Sequence, residues 1–188
     1  MVSAIVFVAN GTEESEFTIT VDVLRRANVK VNVVGVQLTE MYATCSRGVK
    51  IVPDTSLEEL QDWETYDAAV IPGGLKGAET LRDDKKVKHI LSTLYEHNKV
   101  VAFICAGTLA AKEAHIGKGR EATSYPAFKT ELSEYYKYSE DRVVVDENLV
   151  TSRGPGTAFL FALTLVEKLI GKEMSLKLQK EMLTASVL

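Results

Sequence analysis

The sequence predicts an α/β fold with a mainly parallel sheet and helices on both of its faces. Short, continuously apolar runs at residues 4–9, 68–71 and 100–104 have the composition of strands that are covered on both sides. Segments with helical spacing of apolar residues follow these runs, and strands that alternate with helices form βαβ units. Ligands bind beyond the carboxyl ends of such strands, so the residues that follow each strand are the candidates for a functional site.

The remaining segments fit the same scheme. A helix over residues 14–27 precedes a strand at 29–36, and a hairpin is expected within 41–53. The other expected elements, in chain order, are helices at 87–97 and 107–115, a hairpin at 143–151, a helix that opens at 154–157 and runs to about 170, and an amphipathic segment that reaches Leu188.

Length and composition indicate one globular domain over residues 1–188. The chain has 46% apolar and 26% charged residues, which is ordinary for a protein with a packed core. Its net charge of −4 argues against nucleic acid as a specific partner, because phosphate binding needs a basic face. Two cysteines and three histidines form no cluster in the sequence, so we expect neither a disulfide framework nor a metal site.

The apolar runs are all too short for a membrane span. None reaches the roughly 18 residues that crossing a bilayer requires. The chain enters its first apolar run with no basic segment before it, which indicates a strand and not a signal peptide. We therefore expect no membrane partner and a cytoplasmic protein, with the nucleus as a second compartment reached by diffusion.

Three strand ends carry the residues of chemical interest: residues 10–16, 72–74 and 105–107. Cys105 lies between a buried strand and a helix, the position of the nucleophile in a strand–turn–helix elbow. A helix N-terminus stabilises negative charge, so we expect a thiolate with a lowered pKa, and the N–H groups of the first turn can hold an oxyanion. The alternative is an inert, buried cysteine.

Two further signals accompany Cys105. Gly73 and Gly74 let the backbone approach a ligand and could supply a second oxyanion N–H, or they form an ordinary turn. Glu16 lies at the edge of the apolar stripe of its helix, where burial would raise its pKa and suit it to acid–base chemistry; otherwise it only favours the helix start. His89, His97 and His115 are not expected to be catalytic.

An ordered set of motifs resembles the parkinsonism-associated deglycase (DJ-one) branch of the PfpI superfamily. The similarity extends to about Lys172. The motifs are Glu13–Phe17, Val21–Ala27, Cys45–Arg47, Ile71–Gly74, Ile104–Gly107 and Thr151–Thr157. The resemblance implies a flavodoxin-like three-layer sandwich and a homodimer.

The resemblance also implies roles for particular residues. It implies Cys105 as the nucleophile and redox-sensitive thiol, with Glu16 as a protonated carboxyl beside it. It implies that the N–H groups of Gly74 and Ala106 form the oxyanion site. Arg26, Arg47 and Pro155 are then expected at the rim of a pocket near the dimer interface.

Two positions depart from the relatives. Tyr125 stands where many relatives have a histidine, so no Cys–His pair is expected. Tyr125 is the third candidate catalytic residue beside Cys105 and Glu16, because its hydroxyl can donate a hydrogen bond, but it is a poor base at neutral pH. Ala106 stands where the protease-like branches have a histidine, which argues against peptidase activity.

The resemblance leaves two functions open. One is a glutathione-independent glyoxalase that converts methylglyoxal to lactate, or a deglycase that acts on glycated substrates, with no cofactor. The other is a non-enzymatic redox sensor or chaperone in which Cys105 is oxidised to sulfinic acid. Both need the same reactive thiol.

Overall fold

A computed structural model describes residues 1–185 of the chain. Its centre is a seven-stranded sheet in the order β10-β11-β7-β6-β1-β2-β5, in which only β10 and β11 pair antiparallel. The prediction of a mainly parallel sheet is confirmed. The strands are β1 Ser3–Val8, β2 Lys30–Gly35, β3 Ala43–Thr44, β4 Lys50–Ile51, β5 Thr55–Ser56, β6 Ala68–Ile71, β7 Val100–Ile104, β8 Glu121–Ala122, β9 Lys137–Tyr138, β10 Val143–Asp146 and β11 Leu149–Ser152.

Helices cover both faces of the sheet and complete the three layers. The helices are α1 Glu14–Arg26, α2 Leu75–Asp83, α3 Lys85–Glu96, α4 Thr108–Glu113, α5 Lys129–Ser133, α6 Ala158–Leu169 and α7 Lys172–Glu181. Side chains of β1 alternate between two cores: Val6 packs with α1 and α6, whereas Phe7 packs with α3 and α4. This two-sided burial explains why the run at residues 4–9 is apolar at every position.

The segment after Ile71 differs from its prediction, because it forms two helices and not one. α2 begins at Leu75, directly after Gly74, and Asp84 then starts α3 by accepting hydrogen bonds from two backbone N–H groups of its first turn. Gly77 lowers the helix propensity of α2, which hid this helix from the sequence. The glycine is needed there, because a Cβ would stand 2.6 Å from the backbone nitrogen of Thr12.

The smaller elements are only partly as expected. The hairpin of β3 and β4 is two residues long on each side, and the pairing of β8 with β9 was not predicted. The amphipathic C-terminal segment forms α7 up to Glu181; its expected end at Leu188 lies outside the described residues. None of the helices within residues 1–185 is long and apolar enough to cross a membrane.

Candidate active site

The site lies where three neighbouring parallel strands end. β7 pairs with β6, and β6 pairs with β1, all in parallel, so the loops that follow them meet at one edge of the sheet. These loops contain the three segments that the sequence singled out. The sheet therefore brings Glu16, Gly73 and Cys105 together although 89 positions separate the first from the last.

Cys105 occupies a strained turn. Its φ is +62°, a left-handed conformation that is uncommon for a residue with a side chain. The residues Cys105–Gly107 form one 3-10 turn between β7 and α4. Gly107 allows this turn, because a Cβ there would lie 2.5 Å from the carbonyl oxygen of Ile71. Strained residues held by surrounding structure are concentrated at functional sites, and this geometry is that of a nucleophile elbow.

Glu16 is a fully buried carboxyl, with 0% of the residue exposed. Its backbone N–H donates to the carboxylate of Glu13, which caps α1 and so fixes the first turn. Its Oε2 accepts a hydrogen bond of 2.7 Å from the N–H of Gly73. Burial, with a smaller contribution from the charge of Glu13, raises the pKa of Glu16 to about 7, although the bonds from Gly73 and Cys105 oppose the rise.

The Cys105 thiol lies beside the Glu16 carboxyl and near two backbone N–H groups, those of Ala106 and Gly74. Burial, followed by the charge of an ionised Glu16, raises the pKa of the thiol to about 12, and the two N–H groups act in the opposite direction. The expectation of a lowered thiol pKa is therefore wrong, mainly because the thiol is buried. The helix behind the thiol is only one 3-10 turn and six α-helical residues long, too short to outweigh burial and a neighbouring carboxylate.

The two groups form a coupled pair. When Glu16 holds a proton, its repulsion of the sulfur is removed and a hydrogen bond to the sulfur becomes available. The thiol and the carboxyl then lose their protons as a unit, so neither pKa belongs to one residue alone. This arrangement can move a proton between sulfur and oxygen with little change in geometry.

Gly73 is required by close packing at the thiol, and Gly74 by close packing against residues 11–13. A Cβ on Gly73 would stand 2.6 Å from the Cβ of Cys105 and would also overlap Oε2 of Glu16. Gly74 has a φ of +84°, and a Cβ there would overlap the carbonyl oxygen of Gly11 and stand 2.5 Å from the backbone nitrogen of Glu13. An ordinary turn does not explain this crowding. Gly73 therefore packs directly against the thiol and the carboxyl of the site.

Tyr125 reaches Cys105 through its backbone and not through its hydroxyl. Its N–H donates to the carbonyl oxygen of Cys105 at 3.3 Å. The ring is 46% exposed and lies against Phe128, with ring centroids 6.4 Å apart. The structure therefore places Tyr125 beside the nucleophile as a support for its turn.

The three expected rim residues occupy different places in one copy of the chain. Arg47 lines a cavity of about 590 Å³ next to Leu75, the residue that follows Gly74. Pro155 lines a cavity of about 350 Å³ that includes Tyr125. Arg26 is in the last turn of α1, where it pairs with Asp22 at 2.8 Å. Arg47 and Pro155 thus line cavities whose described walls include neither Cys105 nor Glu16, and Arg26 joins neither cavity.

The contact of Glu14 with the β3–β4 hairpin was not predicted from the sequence. Glu14 accepts hydrogen bonds of 2.7 Å from the Ser46 hydroxyl and from the N–H of Arg47. It thereby fastens the β3–β4 hairpin to the start of α1, two residues from Glu16. No local pattern signals this contact, because 32 positions separate Glu14 from Ser46. Within residues 1–185, no group of three or more His, Cys, Asp or Glu side chains is arranged to hold a metal.

Fold and site together define a flavodoxin-like protein with a cysteine at a nucleophile elbow, backed by a buried carboxyl. The DJ-1/PfpI family model matches residues 2–168, and the chain belongs to that family. Protein DJ-1alpha of Drosophila melanogaster is 45% identical over 182 residues, covering 96% of this chain and 83% of the relative.

Two further relatives support the assignment of the chain to this family. The protein named glutathione-independent glyoxalase DJ-1 from Schizosaccharomyces pombe is 37% identical, covering 92% of this chain and 94% of the relative. The crystal structure of Drosophila melanogaster DJ-1beta superposes with a TM-score of 0.92 at 42% identity and covers 98% of both chains. The three-layer fold is thus confirmed.

Proposed function

We propose that this protein is a glutathione-independent glyoxalase that converts methylglyoxal to lactate with Cys105 as nucleophile. The observation that carries the proposal is the buried Glu16 carboxyl, whose pKa is raised to about 7 and which touches the Cys105 thiol. A group that is half protonated near neutral pH can both take and return a proton. The glyoxalase name of the S. pombe relative supports the same activity.

The proposed reaction begins when the sulfur attacks the aldehyde carbon. A carbon–sulfur bond forms while Glu16 takes the thiol proton, and the N–H groups of Gly74 and Ala106 hold the new oxyanion until Glu16 returns that proton to it. The ionised Glu16 then removes the proton from the former aldehyde carbon and delivers it to the ketone carbon, while the hydroxyl proton moves to the former ketone oxygen, which leaves a lactoyl thioester. Water cleaves that thioester to release lactate and the thiol. One carbon is oxidised and its neighbour reduced, so no external oxidant, metal or cofactor is needed.

The test is lactate formation by purified, metal-stripped protein without added thiol. We expect Cys105→Ala to abolish turnover, and Glu16→Gln to reduce it about 100-fold or more, since proton transfer contributes on that scale. Cys45→Ser is the matched control, because Cys45 is a buried residue within the β3–β4 hairpin and has no hydrogen bond to Glu16 in the described structure. Full activity in Cys105→Ala would refute the assigned chemistry.

Deglycation uses the same first step on a different carbonyl adduct. In this variant of the proposal the sulfur attacks a carbon of an early glycation product, and the amine leaves. Turnover of methylglyoxal and of a glycated amino acid, measured side by side on the same preparation, separates the two activities. A rate with the glycated amino acid that exceeds the methylglyoxal rate would favour the deglycase.

A redox sensor is the second candidate, and one feature favours it. Oε1 of Glu16 has no hydrogen-bond partner among the described residues, and the backbone N–H groups of Ala106 and Gly74 lie near the sulfur and act to lower its pKa. A protonated Glu16 and these donors could stabilise a Cys105 sulfinate. Mild peroxide followed by intact mass should then add two oxygens at Cys105 alone. Oxidation spread equally over Cys45 and Cys105 would contradict a tuned sensor.

We also propose a homodimer. The β3–β4 hairpin and its flanks expose three large apolar side chains, Met41, Val49 and Val52, which a second copy could cover. In one copy Arg26 lines neither of the two cavities, but a dimer could bring Arg26 of the second copy to the rim of the site. Light scattering at micromolar concentration should give twice the chain mass, and a monomer mass would refute the dimer.

A further inference from the structure

Glu13, Glu16 and Gly73 are joined by a closed circuit of three hydrogen bonds. The backbone N–H of Glu13 donates to the carbonyl oxygen of Gly73 at 2.9 Å. The N–H of Gly73 donates to Oε2 of Glu16 at 2.7 Å, and the N–H of Glu16 donates to Oε2 of Glu13 at 2.7 Å. Each residue donates once and accepts once, so none of the three can move without straining a hydrogen bond to each of the others.

The circuit lies directly against the thiol. A Cβ on Gly73 would meet the Cβ of Cys105 at 2.6 Å and its sulfur at 3.0 Å, and it would overlap Oε2 of Glu16. No free space therefore separates Gly73 from the nucleophile. A displacement of Glu13 is transmitted through Gly73 and through the first turn of α1 to the carboxyl beside the sulfur.

Glu13 also places a negative charge near the buried Glu16 carboxyl. Glu13 is half-buried, and Glu16 is fully buried. Among the ion pairs formed within residues 1–185, none includes Glu13. Solvent and salt screen a charge less when its neighbour is buried. The Glu13 carboxylate therefore disfavours a second negative charge on Glu16 and favours a proton there.

The other groups around Glu16 do not replace this effect. Burial is the largest influence on the pKa of Glu16 and raises it, the hydrogen bond from Gly73 lowers it, the charge of Glu13 raises it, and the hydrogen bond from Cys105 lowers it. Glu14 faces the β3–β4 hairpin instead. Helix α6 packs along α1 within a cluster of apolar residues and adds no ionisable group to those that act on Glu16. Glu13 is thus the charged side chain that favours the protonated carboxyl.

Helix capping alone does not account for a charged side chain at the start of α1. Ser, Thr and Asn cap helix N-termini without a charge, and glutamate is not among the preferred cap residues. Glu13 nevertheless caps α1 with its carboxylate, and the N–H that it accepts is that of Glu16. The cap and the charge therefore act on the same residue.

We propose that Glu13 is a positioning residue of the Cys105 site, which holds the Glu16 carboxyl on Gly73 and whose charge keeps a proton on that carboxyl near neutral pH. Glu13 acts through Glu16. The proposed reaction needs one proton shared by Cys105 and Glu16, so Glu13 sets the pH range in which that form is populated. The effect on turnover rests on the proposed function, whereas the effect on the protonation of Glu16 does not.

The first experiment measures the protonation of Glu16 without turnover. Carbon NMR of protein labelled at the glutamate side-chain carboxyl follows each carboxyl group, and the Glu16 signal is the one lost in Glu16→Gln. Glu13→Gln keeps an oxygen that can accept the N–H of Glu16 but removes the charge. The titration midpoint of Glu16 should therefore fall by about half a pH unit or more. An unchanged midpoint would overturn the inference.

Two further variants test whether the charge of Glu13 is responsible. Glu13→Asp keeps the charge and is a preferred cap, so its Glu16 midpoint should stay close to that of the unmodified protein. Glu173→Gln removes a charge from the first turn of α7 and is the matched control, which should change nothing. A fall in Glu13→Asp equal to that in Glu13→Gln would overturn the assignment to the charge.

The second experiment measures kcat/KM for methylglyoxal as a function of pH. This value should rise with pH as the Cys105–Glu16 pair loses its first proton, and Glu13→Gln should move the rise to lower pH by about half a pH unit or more. Glu13→Ala also removes the acceptor for the N–H of Glu16, so its highest kcat/KM should be about tenfold below that of Glu13→Gln. Equal maxima in the two variants would overturn the positioning role.

The two experiments separate the failures. Absence of turnover in the unmodified protein would overturn the proposed glyoxalase, while the NMR titration would still decide whether Glu13 controls the protonation of Glu16. Turnover with a Glu16 midpoint that does not depend on Glu13 would leave the glyoxalase intact and overturn this inference. A lower Tm in Glu13→Ala, with the midpoint and the pH dependence unmoved, would identify Glu13 as a helix cap only and would also overturn it.

Discussion

Glu16 and Gly73 are joined by a hydrogen bond of 2.7 Å in which the backbone N–H donates to Oε2 of the buried carboxyl. Oε1 has no hydrogen-bond partner among the residues that the structure describes, so protonation of that oxygen breaks no existing hydrogen bond and is favoured over protonation of Oε2. Since burial raises the pKa of Glu16 to about 7, both protonation states are populated near neutral pH. The same bond holds the carboxyl in one orientation beside the sulfur in both states.

The first prediction concerns stability and pH. The pKa of Glu16 is raised from 4.5 to about 7 in the folded state, so the folded protein binds this proton more tightly than the unfolded chain does. The carboxyl therefore costs no stability below pH 4.5, an increasing amount up to about pH 7, and a constant amount of roughly 3 kcal/mol above it. Glu16→Gln removes that cost, so its stability gain over the unmodified protein should be larger at pH 8 than at pH 5, measured by urea unfolding.

Glu14→Gln is the control with the opposite slope. Burial alone would raise the pKa of Glu14, but the hydrogen bonds from Ser46 and Arg47 lower it below its ordinary value. Its carboxylate thus stabilises the fold above its ordinary pKa, and that stabilisation is lost as the pH falls. Glu14→Gln should cost more stability at pH 7 than at acid pH. Equal pH slopes in the two variants would contradict both assignments.

The sequence was informative where a pattern is local and uninformative where contacts are distant. The runs at residues 4–9 and 100–104 predicted buried strands because both faces are covered, and the strand–turn–helix position of Cys105 was visible in the order of residues. The clamp from Glu14 to Ser46 depends on tertiary packing, which no spacing encodes. The ion pair of Arg26 with Asp22, by contrast, has the i, i+4 spacing of a helix and could have been predicted from the sequence. Whether burial or the helix N-terminus dominates the pKa of the Cys105 thiol could also be decided only from the three-dimensional structure.

The second prediction concerns the space at Gly73. Gly73→Ala places a Cβ 2.6 Å from the Cβ of Cys105 and against Glu16, so either the thiol or the carboxyl must move. We expect methylglyoxal turnover to fall about 100-fold or more, because misplacement by about 1 Å costs a reaction of this kind that much. Gly156→Ala is the matched control, since its Cβ would meet nothing within 4 Å. Wild-type turnover in Gly73→Ala would show that the close packing at Cys105 is dispensable.

The third prediction concerns Cys45, a buried residue of the β3–β4 hairpin next to Ser46, whose hydroxyl donates to Glu14. Burial, followed by the charges of Glu14 and Glu13, raises the pKa of the Cys45 thiol to about 11. Glu14→Gln removes one of those charges and weakens the clamp on Ser46, so alkylation of Cys45 at pH 8.5 should become about threefold to tenfold faster. Peptide mass spectrometry gives the rate. In the unmodified protein Cys45 should react slowly, and equal Cys45 rates with and without Glu14 would contradict the clamp.

The last prediction separates the two chemical parts of Tyr125. Its backbone N–H supports the Cys105 turn, whereas its hydroxyl has no hydrogen-bond partner within residues 1–185 and its ring is 46% exposed. Tyr125→Phe should therefore change kcat/KM for methylglyoxal less than about threefold, an effect smaller than general acid–base catalysis provides. Tyr138→Phe is a matched comparison, because the Tyr138 hydroxyl lies 3.0 Å from that of Ser124, the neighbour of Tyr125, and its loss should disturb the loop more. A hundredfold loss in Tyr125→Phe, with Tyr138→Phe unaffected, would instead establish the Tyr125 hydroxyl as a proton donor to the substrate and reduce the part assigned to Glu16.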